Sequence, residues 1–393
     1  MNNSRREFLF LLSALGVGAT LPNAAALALP TNPKEKLPAV GDSPDDAGPL
    51  AQDLSGKLDV KSIQKAMERV GNWELLRTQH DFNDDWTFAA LYTGFMAAAQ
   101  ALPNERWLNA MLEMGTALKW QPGPNETHAD HHAVGQTYLE LYLLKRDPAM
   151  LAPIKQRFDR MLPMVDNPQK PLWSWCDALY MAPPVCARLY RATGDEAYLH
   201  FLDREWNITS QNLFDKQEHL FYRDPRYFMQ REKNGKKIFW SRGNGWVIAG
   251  LARVLQYLPQ QWPTRARYEE QFRLMAERLA ELQGPDGLWR SSLLYPEGYT
   301  LPEVSGSGFI TYAMAWGMRA GLLEHSQFMK PAEQGWKGMV SHIYQDGRLG
   351  CIQPVGAAPG DYKPTSSYVY GVGAFLLAGS ELLQMQRGKN WKS

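Results

Sequence analysis

From about residue 59 onward, apolar residues recur every three to four positions, and each periodic stretch ends in turn residues. That spacing predicts a succession of amphipathic helices beginning near Val60, Trp86, Glu105, His131, Pro148, Trp175, Glu196, Asn244, Thr264, Ser307, Lys330 and Ser366. Alternate members, those near Trp86, His131, Trp175, Asn244, Ser307 and Ser366, are rich in Ala, Gly, Leu and Tyr with few charges, as in TFAALYTGFMAAAQAL and SYVYGVGAFLLAGSELL. The others carry charge along one face, as in ARYEEQFRLMAERLAEL. A helix apolar all round is buried and a one-sided helix covers it, so the pattern separates an inner set from an outer set. Six such pairs close into an all-α (α/α)6 toroid, a single domain over 59–390. An open solenoid of stacked pairs is the competing architecture. Irregular spacing of the pairs argues against it, as does FYRDPRYFMQREKNGKKIFW at 221–240, which reads as a β-hairpin-like insertion turned at Asn234-Gly235.

The N-terminal segment lies outside this pattern. Arg5 and Arg6 precede an apolar run from Phe8 to Leu21 and small residues ending in Ala26-Leu27-Ala28. Residues 1–28 read as a twin-arginine secretory signal, followed by a Pro/Asp/Gly-rich linker over 29–58. The run is broken by Ser13 and glycines and falls short of the roughly 20 apolar residues of a membrane span. No cysteine lies near the cleavage site to carry a lipid. The expectation is a periplasmic or secreted protein with no membrane attachment after signal removal. Cys176, Cys186 and Cys351 are an odd number, and the first two are too far apart along one helix to bridge, so all three read as buried thiols.

Charge narrows the partners. Lys+Arg 42 against Asp+Glu 41 gives a net charge of +1, and no basic stripe appears, so nothing favours nucleic acid or an anionic membrane. The sequence is silent on assembly, and the expectation is a monomer or a weak homo-oligomer. Fourteen tryptophans in 393 residues suit a carbohydrate cleft, and suit a large helical core equally.

Two segments carry candidate chemistry. PLWSWCDALYMAPP, 171–184, sets Asp177 among Trp173, Trp175 and Tyr180. Aromatic faces stack on sugar rings and exclude water, and a desolvated carboxyl is pushed toward holding a proton. An Asp near a helix start also caps helices, and the residues alone leave both roles open. WSRGNGW, 240–246, places Arg242 between Trp240 and Trp246, with glycines that let the backbone approach a ligand. Arg242 offers a planar fork suited to a carboxylate, although stacking between tryptophans purely for packing fits the same residues. DFNDDW (81–86), THADHH (127–132), WSWCD, WSRGNGW, EVSGSGF (303–309) and PTSSYVYG (364–371) each fall at the start of an inner helix. Polar and aromatic residues recurring at that point of every pair mark one rim, and hence a cleft.

WSWCDALYMAPP, WSRGNGW, EVSGSGF and GVGAFLLAGSEL, with HADHHAVGQTYLELY as a weaker match, resemble segments of the unsaturated glucuronyl/rhamnogalacturonyl hydrolases, glycoside hydrolase family 105 and its relative family 88. The resemblance spans roughly 60–385. It implies hydrolysis of a 4-deoxy-Δ4,5-unsaturated uronic acid from the non-reducing end of acidic oligosaccharides made by polysaccharide lyases, with no cofactor. By that likeness Asp177 is the general acid/base and Asp130 its partner. Trp175, Trp240 and Trp246 would stack on rings, Arg242 would hold the carboxylate or hydroxyls, and His131, His132 and Ser305 would complete the contacts. Many relatives carry a His soon after the Tyr of the FYxx stretch, where this chain has Arg223-Asp224, so Arg223 is expected near the cleft in an unassigned role. His128, His131 and His132 with Asp130 invite a metal, but their spacing is poor for one, and no metal is expected. An inverting glycosidase or sugar epimerase on the same toroid, using Asp84, Asp85 or Glu303 as a second acid, is the alternative enzyme. A non-catalytic sugar-binding protein is the alternative outside enzymes.

Overall fold

The computed structural model describes residues 40–102, 105–164 and 171–388. The expected signal segment and the linker up to residue 39 lie outside them. Thirteen α-helical segments follow in order: α1 Val60–Thr78, α2 Trp86–Ala101, α3 Glu105–Ala117, α4 Gly135–Lys145, α5 Ala152–Met161, α6 Ala178–Met181, α7 Pro183–Thr193, α8 Ala197–Leu213, α9 Ser241–Leu255, α10 Arg265–Glu281, α11 Val304–Arg319, α12 His325–Val340 and α13 Val369–Arg387.

Contacts among the charge-poor helices form a closed cycle. α2 packs on α13, α13 on α11, α11 on α9, α9 on α6 and α7, α7 on α4, and α4 again on α2. α1, α3, α8, α10 and α12 lie outside, against α13, α2, α7, α9 and α11 respectively. This is the (α/α)6 toroid expected from the alternation of apolar and one-sided helices. Glycine sets the tightest seam: a Cβ on Gly94 of α2 would lie 2.5 Å from the carbonyl oxygen of Gly373 of α13, and one on Gly373 would strike the Ala90 carbonyl. The two backbones touch, and only hydrogen fits between them.

Local signals set the helix starts. Asp59 caps α1 by accepting from the Ser62 amide at 2.9 Å, and Asp85 caps α2 through the Thr87 amide at 2.9 Å. The third inner helix is broken, because Pro183 and Pro184 supply no N–H to continue α6. The carbonyl that Pro184 leaves unmet, Tyr180 O, is met from a neighbour instead: Gln136 Nε2 donates to it at 2.7 Å. α12 begins at His325, ahead of the expected Lys330, and carries Pro331 inside the helix. Cys176, Cys186 and Cys351 are buried and free.

The insertion is less regular than a hairpin. Leu220–Phe221 (β3) pairs backward with Phe214–Asp215 (β2), and beyond it Arg231 and Lys237 form one antiparallel bridge. The turn does fall at Asn234-Gly235, with Gly235 at φ +80°. The linker reading needs correction over 40–58. Gly41–Asp42 (β1) pairs antiparallel with Ser367–Tyr368 (β4), Ala51 N–H donates to Ile343 O at 2.8 Å, and Arg348 forms an ion pair with Asp42. A short extended strap held by backbone bonds leaves no periodicity to read.

Candidate active site

The starts of the inner helices converge on Asp177. It stands just before α6 with αR backbone, φ −60° and ψ −28°, and its side chain caps nothing, so the capping role is set aside. Its carboxyl is buried and its Oδ2 accepts from Arg223 Nε at 3.2 Å. Burial pushes the Asp177 acid above the usual carboxylate range, and the charges of Arg223 and Arg242 only partly offset it. The Cys176 N–H donates to the Arg223 carbonyl at 2.8 Å, which fixes the acid's segment to the chain that carries its cation.

Asp130 sits on a 3-10 turn, Ala129–His132, ahead of α4, with its side chain 22% exposed. Burial, with the negative charges of Asp177 and Asp85, pushes it up to about 7, against the pull of Arg223. A carboxylate at Asp177 thus helps Asp130 keep its proton toward neutral pH. Arg223 is the bridge the sequence left unassigned: Nε reaches Asp177, and Nη1 donates to Asp224 at 2.7 Å. Burial pushes Asp224 up, but hydrogen bonds from Arg226 and Arg223 outweigh it and hold this carboxyl down at about 2. Asp224 is a permanent anion that anchors the arginine.

WSRGNGW builds this arrangement from beneath. Asn244 Oδ1 accepts from the Phe221 N–H at 2.7 Å and its Nδ2 donates to Phe221 O at 3.0 Å, pinning β3 two residues before Arg223. The role read for Arg242 does not survive: it is fully buried, between the rings of Trp240 at 4.4 Å and Tyr370 at 4.8 Å. Its Nη1 and Nη2 donate to the carbonyls of Gln353 and Pro354 at 2.5 and 2.8 Å. Trp240 is buried too, its Nε1 donating to Gln353 Oε1 at 2.8 Å. Trp246 lies in the floor, its ring 4.1 Å from Phe309 and 4.7 Å from Tyr180, with no face left for a sugar. The WSRGNGW residues that read as ligand contacts are the masonry under the acid.

Other expected contacts divide in the same way. Trp175 is partly exposed, its ring 4.8 Å from that of His128, and His131 is partly exposed with Nδ1 accepting from the Asn125 amide at 2.7 Å. His132 is fully buried against Phe158, its Nε2 donates to Glu126 O at 2.9 Å, and burial drops its pKa to about 3, so it supports the turn rather than touching a ligand. Ser305 is buried and donates to Glu303 Oε1 at 2.6 Å. Glu303 also accepts from the Gly306 amide at 2.6 Å and the Gln353 amide at 3.1 Å, which spends it on capping α11 and removes it as a second acid. Asp85 is likewise spent as the cap of α2. Trp86, partly exposed and stacked on Tyr370 at 5.5 Å and 24°, is an aromatic face that sequence reasoning placed on the rim without assigning it.

Comparison with known proteins agrees with this architecture. The model of Glycosyl Hydrolase Family 88 matches residues 59–386. An unsaturated 3S-rhamnoglycuronyl hydrolase of Formosa agariphila is 38% identical over 320 residues, 77% of this chain and 85% of that protein. Another protein of that name, from an Alteromonas species, is 32% identical over 85% of this chain and 89% of its own length. Among solved structures, a family 88 glycosyl hydrolase from Bacteroides vulgatus superimposes with a TM-score of 0.78 at 30% identity, covering 83% of this chain and 99% of that one. Match, coverage and toroid agree: this chain belongs to glycosyl hydrolase family 88.

Proposed function

We propose that the protein removes a 4-deoxy-Δ4,5-unsaturated uronic acid from the non-reducing end of lyase-generated acidic oligosaccharides. The observation that carries this is Asp177, a buried acid held by Arg223 Nε at 3.2 Å and raised by burial, with Asp130 beside it kept protonated up to about pH 7 by burial and by the Asp177 charge. The C4=C5 bond of such a sugar is a vinyl ether, so protonation at C4 leaves oxocarbenium character at C5. Asp177 delivers that proton. Its carboxylate then takes a proton from the water that adds to C5, acting as acid and base in turn. The hydrated sugar is a hemiketal; it opens, and the hemiacetal left at C1 collapses and releases the aglycone. No nucleophilic second carboxylate is needed, which suits a site where Glu303 and Asp85 are spent on helix caps.

The test is incubation with lyase digests of several acidic polysaccharides while following the ultraviolet absorbance of the conjugated double bond. Since two relatives are named for rhamnoglycuronyl substrates, digests of polysaccharides containing rhamnose and glucuronate come first. Loss of absorbance in at least one digest is the expected result, and loss in none would overturn the reading. Export through the twin-arginine route belongs to the same proposal, supported by Arg5-Arg6, the interrupted apolar run and Ala26-Leu27-Ala28. Fractionation of cells expressing the full chain, with and without replacement of both arginines by lysine, checks it: retention inside the cell is expected only for the replaced form.

A further inference from the structure

A uronate entering this cleft brings a carboxylate toward Asp177, Asp130 and Asp85, and such an anion needs a cation to meet it. Two arginines act on Asp177. Arg242 is sealed beneath the site with both terminal nitrogens bonded to carbonyls. Arg223 differs in every respect that matters: its side chain is 24% exposed, and Nε and Nη1 are engaged while Nη2 carries no hydrogen bond to any of the described residues. Its main chain is held by the Cys176 N–H, so only the side chain is free to adjust. Asp224, gripped separately by Arg226 through Nε at 2.8 Å and Nη2 at 2.9 Å, stays behind as its anchor.

The geometry points to Arg223 as the receptor for the carboxylate of the unsaturated uronate, and as the group through which bound substrate readies Asp177 to take a proton. The inference rests on the proposed function and deepens it. In the free protein the guanidinium favours ionised Asp177. A second carboxylate on the same guanidinium divides its positive charge between two anions and adds a negative charge beside Asp177. Both changes make the acid more basic. The proton it then takes comes from Asp130 or from solvent, and it leaves Asp177 for C4. The charged and titratable groups that face the pair are Asp130 and Asp85 ahead of α4 and α2, His128 with Nδ1 3.7 Å from Asp130 Oδ2 and its pKa lowered by burial and by His131, Cys176 beside the acid, Arg223 and Asp224 after β3, and Arg242 at the start of α9. None of the others joins a positive charge to an exposed edge.

The experiment compares an unsaturated disaccharide with its uronate methyl ester, which keeps the double bond and loses the charge. The wild type is expected to prefer the acid over the ester by about 10- to 100-fold in kcat/KM, the range of a lost charge-assisted hydrogen bond. Arg223→Met should abolish that preference by lowering turnover of the acid. Arg223→Lys, which restores a point charge without the fork, should recover part of it. In the wild type, the group that must be protonated should titrate at higher pH in kcat than in kcat/KM for the acid substrate, and at the same pH for the ester. A merely structural role for Arg223 would slow both substrates alike and leave the two profiles together. An undiminished acid preference in Arg223→Met overturns the inference while the proposed function stands. Should that variant fail to fold by circular dichroism, an undiminished preference in Arg223→Lys does the same. A wild type inert toward every unsaturated uronide sinks the proposed function itself.

Discussion

Asp130→Asn should stabilise the protein at pH 8 and leave its stability unchanged at pH 4. In the folded chain Asp130 holds its proton up to about pH 7, against an ordinary value of 3.8. Between those values the folded state binds a proton that the unfolded chain has released. Stability is therefore full below about pH 4 and falls as pH rises through 7, where a charge is forced to sit near Asp177 and Asp85. A gap of about 3 units at 1.36 kcal/mol each sets a ceiling of about 4 kcal/mol. With the side chain 22% exposed, water screens part of it, so about 2–4 kcal/mol remains for an uncharged amide to recover. For a domain of this size the unfolding entropy corresponds to about 0.7 kcal/mol per degree, so the midpoint of the variant should exceed that of the wild type by about 3–6 °C at pH 8. Thermal unfolding of both proteins followed by circular dichroism from pH 4 to 8 reads the difference directly. A difference that does not change with pH, or a variant less stable at pH 8, would refute the assignment of Asp130 as the proton-holding partner.

Two further predictions concern the scaffold. Glu140 is the shared counter-charge of two buried arginines, accepting from Arg188 Nη2 at 2.6 Å and Arg253 Nη2 at 2.8 Å, and Arg253 in turn holds the Gln136 that supports the end of α6. Glu140→Leu leaves both cations buried and unpaired and should cost about 3–5 kcal/mol, read from the urea midpoint. Gly373→Ala places a methyl group against the Ala90 carbonyl; a loss of at least about 1–3 kcal/mol in the same assay is expected, and unchanged stability would show that α2 and α13 separate freely.

Much of this was legible in the sequence, and the limits have physical causes. The toroid could be read because its inner and outer helices differ in how charge is distributed around them, a local property. The position of Asp177 could be read because tryptophans and prolines crowd one acid. The error lay in reading residue type as orientation. Arg242, Trp246 and Ser305 have the chemistry of ligand contacts, yet α9 and α11 turn them inward, where Gln353, Phe309 and Glu303 take their bonds and faces. Nothing in WSRGNGW distinguishes a fork aimed at a sugar from one aimed at a loop carbonyl over a hundred residues away. Arg223 was singled out only as a departure from relatives. Its partnership with Asp177 depends on Asn244 pinning β3 and on one backbone bond from Cys176, long-range contacts that leave no periodicity. The strap at 40–58 escaped notice for the same reason, being held by pairing rather than by an apolar face.

The central claim is that Asp177 supplies the proton that hydrates the double bond, and one measurement tests it most directly. Wild-type protein and Asp177→Asn, matched in circular dichroism, are given the same unsaturated disaccharide, and loss of ultraviolet absorbance is timed. The account predicts a rate lower by about 10²–10⁴-fold in the variant, the usual contribution of a positioned acid or base. Clearance of the absorbance by the folded variant at the wild-type rate would contradict it.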